Sequence, residues 1–143
     1  MKKITIKYFD KTLTPIEQKK NSDWIDLRSA IDIDLIPNKS YLIPLGISIK
    51  LPHGYEAHIA PRSSTFKNYG IIQTNSIGII DESYCGDNDL WYYPIYATQN
   101  RHISKNDGIC QFRIVKKQPS IKFNVVDKLL NKNRGGFGST GKQ

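Results

Sequence analysis

Short runs of alternating apolar and polar residues recur along the chain, and they constrain its fold more than any other feature. The runs lie at residues 4–8, 41–51, 55–60, 91–97, 109–115 and 120–126. Alternation with a period of two puts every second side chain on one face of a strand, so each run predicts a half-buried β-strand. Helical periodicity is weak, and only a turn around Phe66–Asn68 is predicted. Many short strands between turn signals predict an all-β sandwich or barrel.

Proline and glycine interrupt two of the predicted strands. Pro44 and Gly46 divide the run 41–51 into two strands, and Pro94 lies inside the run 91–97. Because proline cannot donate a backbone hydrogen bond, both prolines predict strand edges or bends.

Length and charge limit the function classes. A chain of 143 residues is long enough for one domain with its own core. No stretch approaches the roughly 20 apolar residues of a membrane span, and residues 1–15 lack the apolar region of a signal peptide. The net charge of +8 favours anionic partners. The basic residues are scattered and form no compact stripe with aromatic residues, so the charge is compatible with nucleic acid, with nucleotides or with no specific partner.

The two cysteines, Cys85 and Cys110, indicate the compartment. Neither belongs to a C-x-x-C pair, and two cysteines do not make a disulfide framework. Free thiols are typical of the reducing cytoplasm, where we expect this protein to work.

The glycine-rich sequence RGGFGSTGKQ ends the chain. Residues 136–142 fit G-x-x-x-x-G-K, but a phosphate-binding loop continues with Ser or Thr and opens a helix, whereas a glutamine follows here. A frayed terminus and a mobile lid are the other interpretations. In a lid, Phe137 would cover a flat ligand and Arg134 would bind an anion.

The run APRSSTFKNYG at residues 60–70 places Arg62, Ser63 and Ser64 in succession after a predicted strand. An arginine can bind two phosphate oxygens, and two hydroxyl groups with their backbone N–H groups can donate to the others. An ordinary polar turn with a buried or interfacial arginine is the alternative.

The run NSIGIIDESYCGD at residues 75–87 places Asp81 directly after apolar residues. Desolvation there would make its carboxylate a stronger base, and a carboxylate at a strand end can act as a general base. Tyr84 could turn its ring toward the same space, and Gly78 allows the backbone to approach a ligand. A hairpin with carboxylates in its turn is the alternative.

Gln111 lies between Cys110 and Phe112 in a predicted strand, so it faces away from both. Its amide could hold a phosphate oxygen or a water molecule. An exposed strand position without a ligand is the alternative.

Taken in order, these stretches resemble the trimeric dUTPase family (deoxyuridine 5′-triphosphate nucleotidohydrolases), and within it the phage-like Bacillus branch. The resemblance runs from about Asp23 to Lys142. It rests on PRSS at 61–64, N…GIIDESYxGD at 75–87, the strand that contains Gln111 and RGGFGSTG at 134–141, at family spacing.

The first family motif usually reads A-G-x-D-L-R-A, and two segments compete for it. Asp23–Ala30 fits better than Ser29–Leu35, because D-L-R-S-A continues correctly and Leu42–Gly46 follows at the expected spacing. The resemblance then implies that Asp26 is a supporting residue near a subunit interface.

Two positions depart from the family pattern. Cys85 stands where an arginine often follows the motif tyrosine, and Gly108 stands where an arginine often precedes the motif glutamine by three residues. Both departures would change salt bridges without removing the base, the tyrosine or the tail arginine.

The resemblance implies a β jelly-roll of residues 1–130, a homotrimer, and a mobile C-terminal lid of residues 131–143 that closes over the site of another subunit. The implied reaction is Mg²⁺-dependent hydrolysis of dUTP to dUMP and pyrophosphate, which keeps uracil out of DNA and supplies dUMP for thymidylate synthesis. Magnesium is expected on the substrate phosphates and water, without a direct protein ligand.

Each motif receives a function from this resemblance. Asp81 would orient and deprotonate the water that attacks the α-phosphorus, Phe137 would stack on uracil, and Arg134 would bind the γ-phosphate. The segment 75–84 would recognise uracil as a hairpin, through its backbone. The implied substrate-binding residues are Arg62, Ser63, Ser64, Asn75, Gly78, Ile80, Tyr84, Gln111, Arg134, Phe137, Gly138, Ser139 and Thr140.

Three other functions remain open at this point. A dCTP deaminase shares the fold and several motifs, but Asp81, Tyr84 and the complete tail favour the hydrolase. Some phage members of the family bind repressor proteins, so a phage or host repressor is a possible partner. A nucleic-acid binder is suggested by charge alone.

Overall fold

The computed structural model describes residues 2–138. Within that range the chain forms eleven strands and one short helix. The elements are β1 (Thr5–Tyr8), β2 (Ile25–Arg28), β3 (Ile33–Leu35), β4 (Ser40–Pro44), β5 (Ile47–Lys50), β6 (Tyr55–Ala60), α1 (Thr65–Tyr69), β7 (Ile71–Gln73), β8 (Gly78–Ile80), β9 (Tyr92–Ala97), β10 (Arg101–Ile103) and β11 (Gly108–Lys116).

All strand pairs are antiparallel, and together they form the expected all-β jelly-roll. A four-stranded sheet has the order β2-β11-β6-β8, and a three-stranded sheet has the order β4-β9-β7. Two further pairs, β1-β5 and β10-β3, complete the framework. The one helix within residues 2–138, α1, has five residues and is too short to cross a membrane.

One apolar core lies between the sheets. Trp91 and Phe112 meet there edge to face, with ring centroids 5.2 Å apart and planes at 86°, a favourable geometry for two aromatic quadrupoles. Inward positions of β9 and β11 alternate with outward ones, so Tyr93, Ile95 and Phe112 are all buried. The sequence pattern of period two is therefore the pattern of core contact.

Five of the six predicted alternating runs are strands. They correspond to β1, to β4 with β5, and to β6, β9 and β11. The predicted turn around Phe66–Asn68 is α1. Between β4 and β5 the chain turns at Gly46, whose φ of 70° favours glycine; a Cβ there would lie 2.3 Å from Leu13 Cδ1.

The predicted strand at 120–126 is wrong. Residues 119–126 form no strand, and the side chains of Phe123 and Val125 are 83% and 91% exposed. The alternation is present, but no strand within residues 2–138 pairs with this segment. A strand requires a partner for its backbone groups, and local alternation does not supply one.

Pro94 does not lie at a sheet edge, as one of the two predicted positions for it would require. It lies in β9, the central strand between β4 and β7. Pro94 pairs with Leu42, and its carbonyl accepts a hydrogen bond from the Thr74 N–H, one residue beyond β7. Proline has no N–H, and at this position the pairing of β9 with β7 has already ended. Pro94 can therefore lie in a central strand without breaking a hydrogen bond between β9 and β7.

We expect the Phe112→Ala substitution to lower the free energy of unfolding by about 3–5 kcal/mol, because it opens a cavity against Trp91. Chemical denaturation at fixed protein concentration measures this change. The matched Phe9→Ala variant removes a ring that is 38% exposed and lies under Lys7; it should cost less than about 1 kcal/mol. Equal losses in the two variants would contradict the assignment of the core.

Candidate functional site

Three of the predicted site residues meet where β11 pairs with its neighbours. Gln111 pairs with Asp26 of β2 on one side and with Ala60 of β6 on the other. Arg62 follows β6, and its Nε lies 3.1 Å from Asp26 Oδ1. Gln111 Nε2 donates to the Pro61 carbonyl over 3.1 Å. We call Asp26, Arg62, Ser63, Ser64 and Gln111 the Arg62 cluster.

The structure gives Gly108 a clear function in this cluster. Arg62 Nη1 donates to the Gly108 carbonyl over 3.0 Å, and a Cβ on Gly108 would lie only 2.7 Å from that nitrogen. A larger residue at 108 would therefore displace the guanidinium. The departure from the family pattern at this position lets Arg62 lie against the backbone of β11.

Thr65, which the sequence analysis missed, fixes the backbone of the cluster. Its side chain is buried; its hydroxyl donates to the Ile109 carbonyl over 2.9 Å and accepts a bond from the Arg62 N–H over 2.8 Å. The register of β11 with β2 shifts between Gly108 and Cys110, which is a bulge at Ile109. The hydroxyl three residues after Arg62 was the available signal, since Ser and Thr often bond to nearby backbone groups.

Two members of the Arg62 cluster, Arg62 and Ser63, line a concavity of about 420 Å³. Arg62, Ser63 and Gln73 line it together with Pro61, Phe66, Ile71, Ile72 and Ser76. Ser64 is the N-cap residue of α1, and its side chain makes no capping bond to the helix. The Ser64 hydroxyl therefore does not bond to the backbone at the start of α1.

Asp81 lies in a second concavity, which we call the Asp81 cleft. It measures about 290 Å³ and is lined by Leu42, Asn75, Ile79, Ile80, Asp81, Tyr84, Leu90, Tyr92 and Pro94. Four of the predicted site residues, Asn75, Ile80, Asp81 and Tyr84, thus share one cleft, and Gly78 begins β8, which carries Ile80 and leads directly into Asp81. No residue lines both this cleft and the concavity of the Arg62 cluster.

The interpretation of residues 75–87 as a hairpin is wrong. β8 pairs with Ala57–Ile59 of β6, and β7 pairs with β9. Residues 74–77 therefore cross from the three-stranded to the four-stranded sheet. Gly78 is required for close packing, because a Cβ there would lie 3.0 Å from Ile59 Cβ.

Asp81 is exposed in the protomer, so the expected desolvation of its carboxylate is not found within one chain. Its carbonyl accepts a bond from the Tyr84 N–H over 3.0 Å, which closes a turn and brings the tyrosine back to the cleft. The Tyr84 hydroxyl donates to the Leu90 carbonyl over 2.7 Å. Desolvation, with Asp89 and Tyr92 nearby, raises the pKa of Tyr84.

Glu82 anchors the segment that carries Asp81. Its Oε1 accepts a bond from the Gly54 N–H and lies 3.0 Å from His53 Nδ1, and its Oε2 lies 3.1 Å from Lys117 Nζ. The Gly54 hydrogen bond, followed by Lys117, lowers the pKa of Glu82. From the sequence alone Glu82 is only a carboxylate in a turn, because its partners lie far away along the chain.

The tail residues lie apart from both concavities. Phe137 is fully exposed, with a φ of 51°, and neighbouring Gly138 has a φ of 80°. Arg134 is exposed as well. Ser139 and Thr140 lie outside the described residues, so the predictions for them remain untested.

Among residues 2–138, no group of three or more His, Cys, Asp or Glu side chains is arranged to hold a metal ion. The single carboxylate of the Asp81 cleft suits a magnesium ion that keeps most of its water and is held by phosphate oxygens. Both cysteines are free, Cys85 exposed and Cys110 buried.

Comparison with known protein families identifies the dUTPase family model over residues 12–141. A SPbeta prophage-derived deoxyuridine 5′-triphosphate nucleotidohydrolase of Bacillus subtilis is 56% identical over 138 residues, covering 96% of this chain and 97% of the relative. A deoxyuridine 5′-triphosphate nucleotidohydrolase of Finegoldia magna is 38% identical, covering 95% of this chain and 98% of the relative.

Solved structures of phage proteins have the same fold. A dUTPase of Staphylococcus bacteriophage 80alpha, solved with dUpNHpp, matches with a TM-score of 0.78 at 18% identity, covering 99% of this chain and 100% of that one. A dUTPase of phage phi11 of S. aureus, described with a structural Mg(II) ion, matches with a TM-score of 0.77 at 16% identity, covering 91% and 100%. At these identities the likeness shows the fold alone.

We expect Glu82→Gln to lower the melting temperature at pH 7, and the difference from the unsubstituted protein to shrink as the pH falls. The folded-state pKa of Glu82 is lowered from a usual 4.5. Its stabilisation is therefore complete above that value and is lost as the pH falls through the lowered pKa. Melting curves between pH 3 and pH 7 measure the difference.

The matched control is Glu17→Gln, which changes an exposed glutamate of the N-terminal region. A Glu82→Gln deficit that stays constant over this pH range would contradict the charged anchor.

Proposed function

The chain belongs to the dUTPase family, and on that premise we propose that it hydrolyses dUTP to dUMP and pyrophosphate in a Mg²⁺-dependent reaction. The observation that carries the proposal is the shared cleft of Asp81, Tyr84 and Asn75. A carboxylate, an aromatic ring and an amide in one concavity supply a base, a sugar platform and a hydrogen-bonding group for a nucleotide.

In this proposal Asp81 orients a water molecule and accepts its proton as the water attacks the α-phosphorus. The carboxylate is exposed in the protomer, so it can receive a water before substrate covers it. Bound substrate and a closed lid would then exclude other water, which strengthens the electrostatic interactions in the site.

The Arg62 cluster supplies the donors for the phosphate chain. Asp26 holds Arg62 at 3.1 Å and the Gly108 carbonyl holds it at 3.0 Å, so the guanidinium is positioned before substrate binds. Ser63 and Ser64 add hydroxyl groups, and Gln111 adds an amide on the adjacent strand. Donors fixed in advance stabilise developing charge without reorganisation during the reaction.

Bound Mg²⁺ supplies charge neutralisation on the phosphates. The donors of the Arg62 cluster would bind the phosphates that hold the ion, and Asp81 would bind the attacking water. In the cleft, the backbone of residues 75–84 would distinguish uracil from cytosine, and Tyr84 under the sugar would leave no space for a ribose 2′-hydroxyl.

We extend the proposal to a homotrimer in which several chains build each site. Two facts support it: the Arg62 cluster and the Asp81 cleft open onto separate concavities of one protomer, and the segment before the tail exposes large apolar side chains. Those side chains are Ile121, Phe123, Val125, Val126, Leu129 and Leu130. Residues 1–130 would form the body, and residues 131–143 the lid that covers another subunit's site.

Within the lid, Phe137 would stack on uracil and Arg134 would bind the γ-phosphate, with Gly138, Ser139 and Thr140 completing the contacts. Full exposure of Phe137 in the protomer leaves its ring free to cover a base. Action in the cytoplasm, where nucleotides occur and free thiols such as Cys85 persist, is part of the same proposal. Binding of a phage or host repressor remains a prediction.

We expect the protein with Mg²⁺ to release pyrophosphate from dUTP and not from dCTP, dTTP or UTP. Asp81→Asn should lower kcat about 10²- to 10⁴-fold, because it removes the general base. The matched Asp87→Asn variant changes an exposed carboxylate of the same loop and should keep normal turnover. Ammonia release from dCTP would instead indicate a deaminase, and full activity of Asp81→Asn would exclude Asp81 as the base.

We expect two inactive variants to restore activity when they are mixed. One variant is Asp81→Asn, and the other lacks residues 134–143. After subunit exchange in mild denaturant, mixed trimers contain sites with an intact Asp81 and an intact tail from different chains. Pyrophosphate release from dUTP measures the recovery, and refolded single variants are the controls. No recovery in trimers shown to be mixed would contradict a lid supplied by another subunit.

A further inference from the structure

Gln73 is a buried amide at a position that faces the core. β7 alternates buried, exposed, buried, so Gln73 points inward together with Ile71, and it is only 7% exposed. An apolar side chain could be buried at this position without any hydrogen bond. Burying an amide there lowers the stability of the fold unless the amide is hydrogen-bonded. The bonds of Gln73 therefore indicate what it contributes.

The Gln73 nitrogen bridges a backbone carbonyl and a site residue. Nε2 donates to the Ile59 carbonyl over 3.0 Å and to Asn75 Oδ1 over 2.9 Å. Within residues 2–138, the buried Gln73 Oε1 has no hydrogen-bond partner. Rotating the amide by half a turn would place Oε1 against the Ile59 carbonyl, and two acceptors repel each other. The Ile59 carbonyl of β6 thus fixes which way the Gln73 amide points.

The fixed Gln73 amide in turn fixes the amide of Asn75. Because Gln73 presents donors, Asn75 must present its oxygen to them, and its NH₂ group points elsewhere. Asn75 lines the Asp81 cleft. Its Nδ2 lies near the start of β8, 3.7 Å from where a Cβ on Gly78 would be. The NH₂ group is therefore the part of the Asn75 amide that Gln73 leaves available to a ligand.

We propose that Gln73 is a specificity-determining positioning residue, which holds the Asn75 amide as a donor and so selects a pyrimidine with a carbonyl oxygen over one with an amino group. Uracil and cytosine differ at ring position 4 in this way, as an acceptor and a donor. A donor that faces the cytosine amino group leaves both groups unpaired, which lowers affinity. This inference rests on the proposed function, because it names the base recognised in that site.

The test compares Gln73→Met with the unsubstituted protein. Methionine keeps the length of the side chain and removes both donors, so the Asn75 amide can turn over. The measurements are kcat and KM for dUTP hydrolysis and the inhibition constant of dCTP as a competitor. We expect the ratio of the dCTP inhibition constant to the dUTP KM to fall about fivefold or more, the effect of one neutral hydrogen bond. The ratio separates base selection from any change in kcat for dUTP, because both nucleotides carry the same sugar and triphosphate.

A second variant, Gln73→Glu, tests the orientation directly. Burial favours the neutral acid, whose hydroxyl, in the place of Nε2, can donate to the Ile59 carbonyl while the same oxygen accepts a bond from the Asn75 NH₂ group. The Asn75 oxygen would then face the cleft, and dCTP should inhibit more strongly than it inhibits the unsubstituted protein. This variant also keeps the proposal testable if Gln73→Met does not fold.

The matched control is Gln99→Met, the same exchange at an exposed glutamine that bonds Arg101. It should keep the selectivity ratio of the unsubstituted protein. Unchanged ratios in both Gln73 variants, or parallel losses for dUTP and dCTP, would overturn the inference and leave Gln73 as a cross-link between sheets. Failure of the unsubstituted protein to hydrolyse dUTP would instead overturn the proposed function, so the two failures are distinct.

Discussion

The antiparallel pairing of β11 with β2 and β6 is the constraint on which the rest of the site depends. β11 is the longest strand, and its inward residues Phe112 and Cys110 are buried in the core. The same register places its outward Gln111 between Asp26 and Ala60. Core packing therefore holds the polar cluster in place, because moving the strand by one residue would turn every core side chain to the other face.

The charged side chains of this molecule are positioned by their local partners, and the net charge of +8 does not describe their surroundings. Arg62 lies against Asp26 and a backbone carbonyl, and Lys117 lies against Glu82. Asp81, in contrast, is an exposed carboxylate at the edge of an open cleft. The Arg62 cluster is thus organised within one protomer, whereas the Asp81 cleft is open.

Sequence patterns predicted the strands that carry enough residues to show alternation. β6 was predicted with its observed bounds, and β11 was predicted to within one residue at each end. The short strands β3, β7, β8 and β10 have three residues each, too few for a period of two to appear. At 120–126 the alternation predicted a strand that does not form, because no strand within the described residues pairs with this segment and Phe123 and Val125 stay exposed. Pairing partners, rather than propensity, decided these cases.

The sequence by itself determined the chemistry at each point of the chain: a strand-end Arg62 with two serines, Asp81 and Tyr84 after an apolar run, and the glycine-rich tail. The tertiary structure alone decided which of these groups meet. It joined Asp26, Arg62 and Gln111, separated them from Asp81, and brought the Gln73 amide against Asn75. The physical reason is that a local pattern records only which face a side chain occupies. Contacts between faces depend on strand register and on sheets that join residues far apart in sequence.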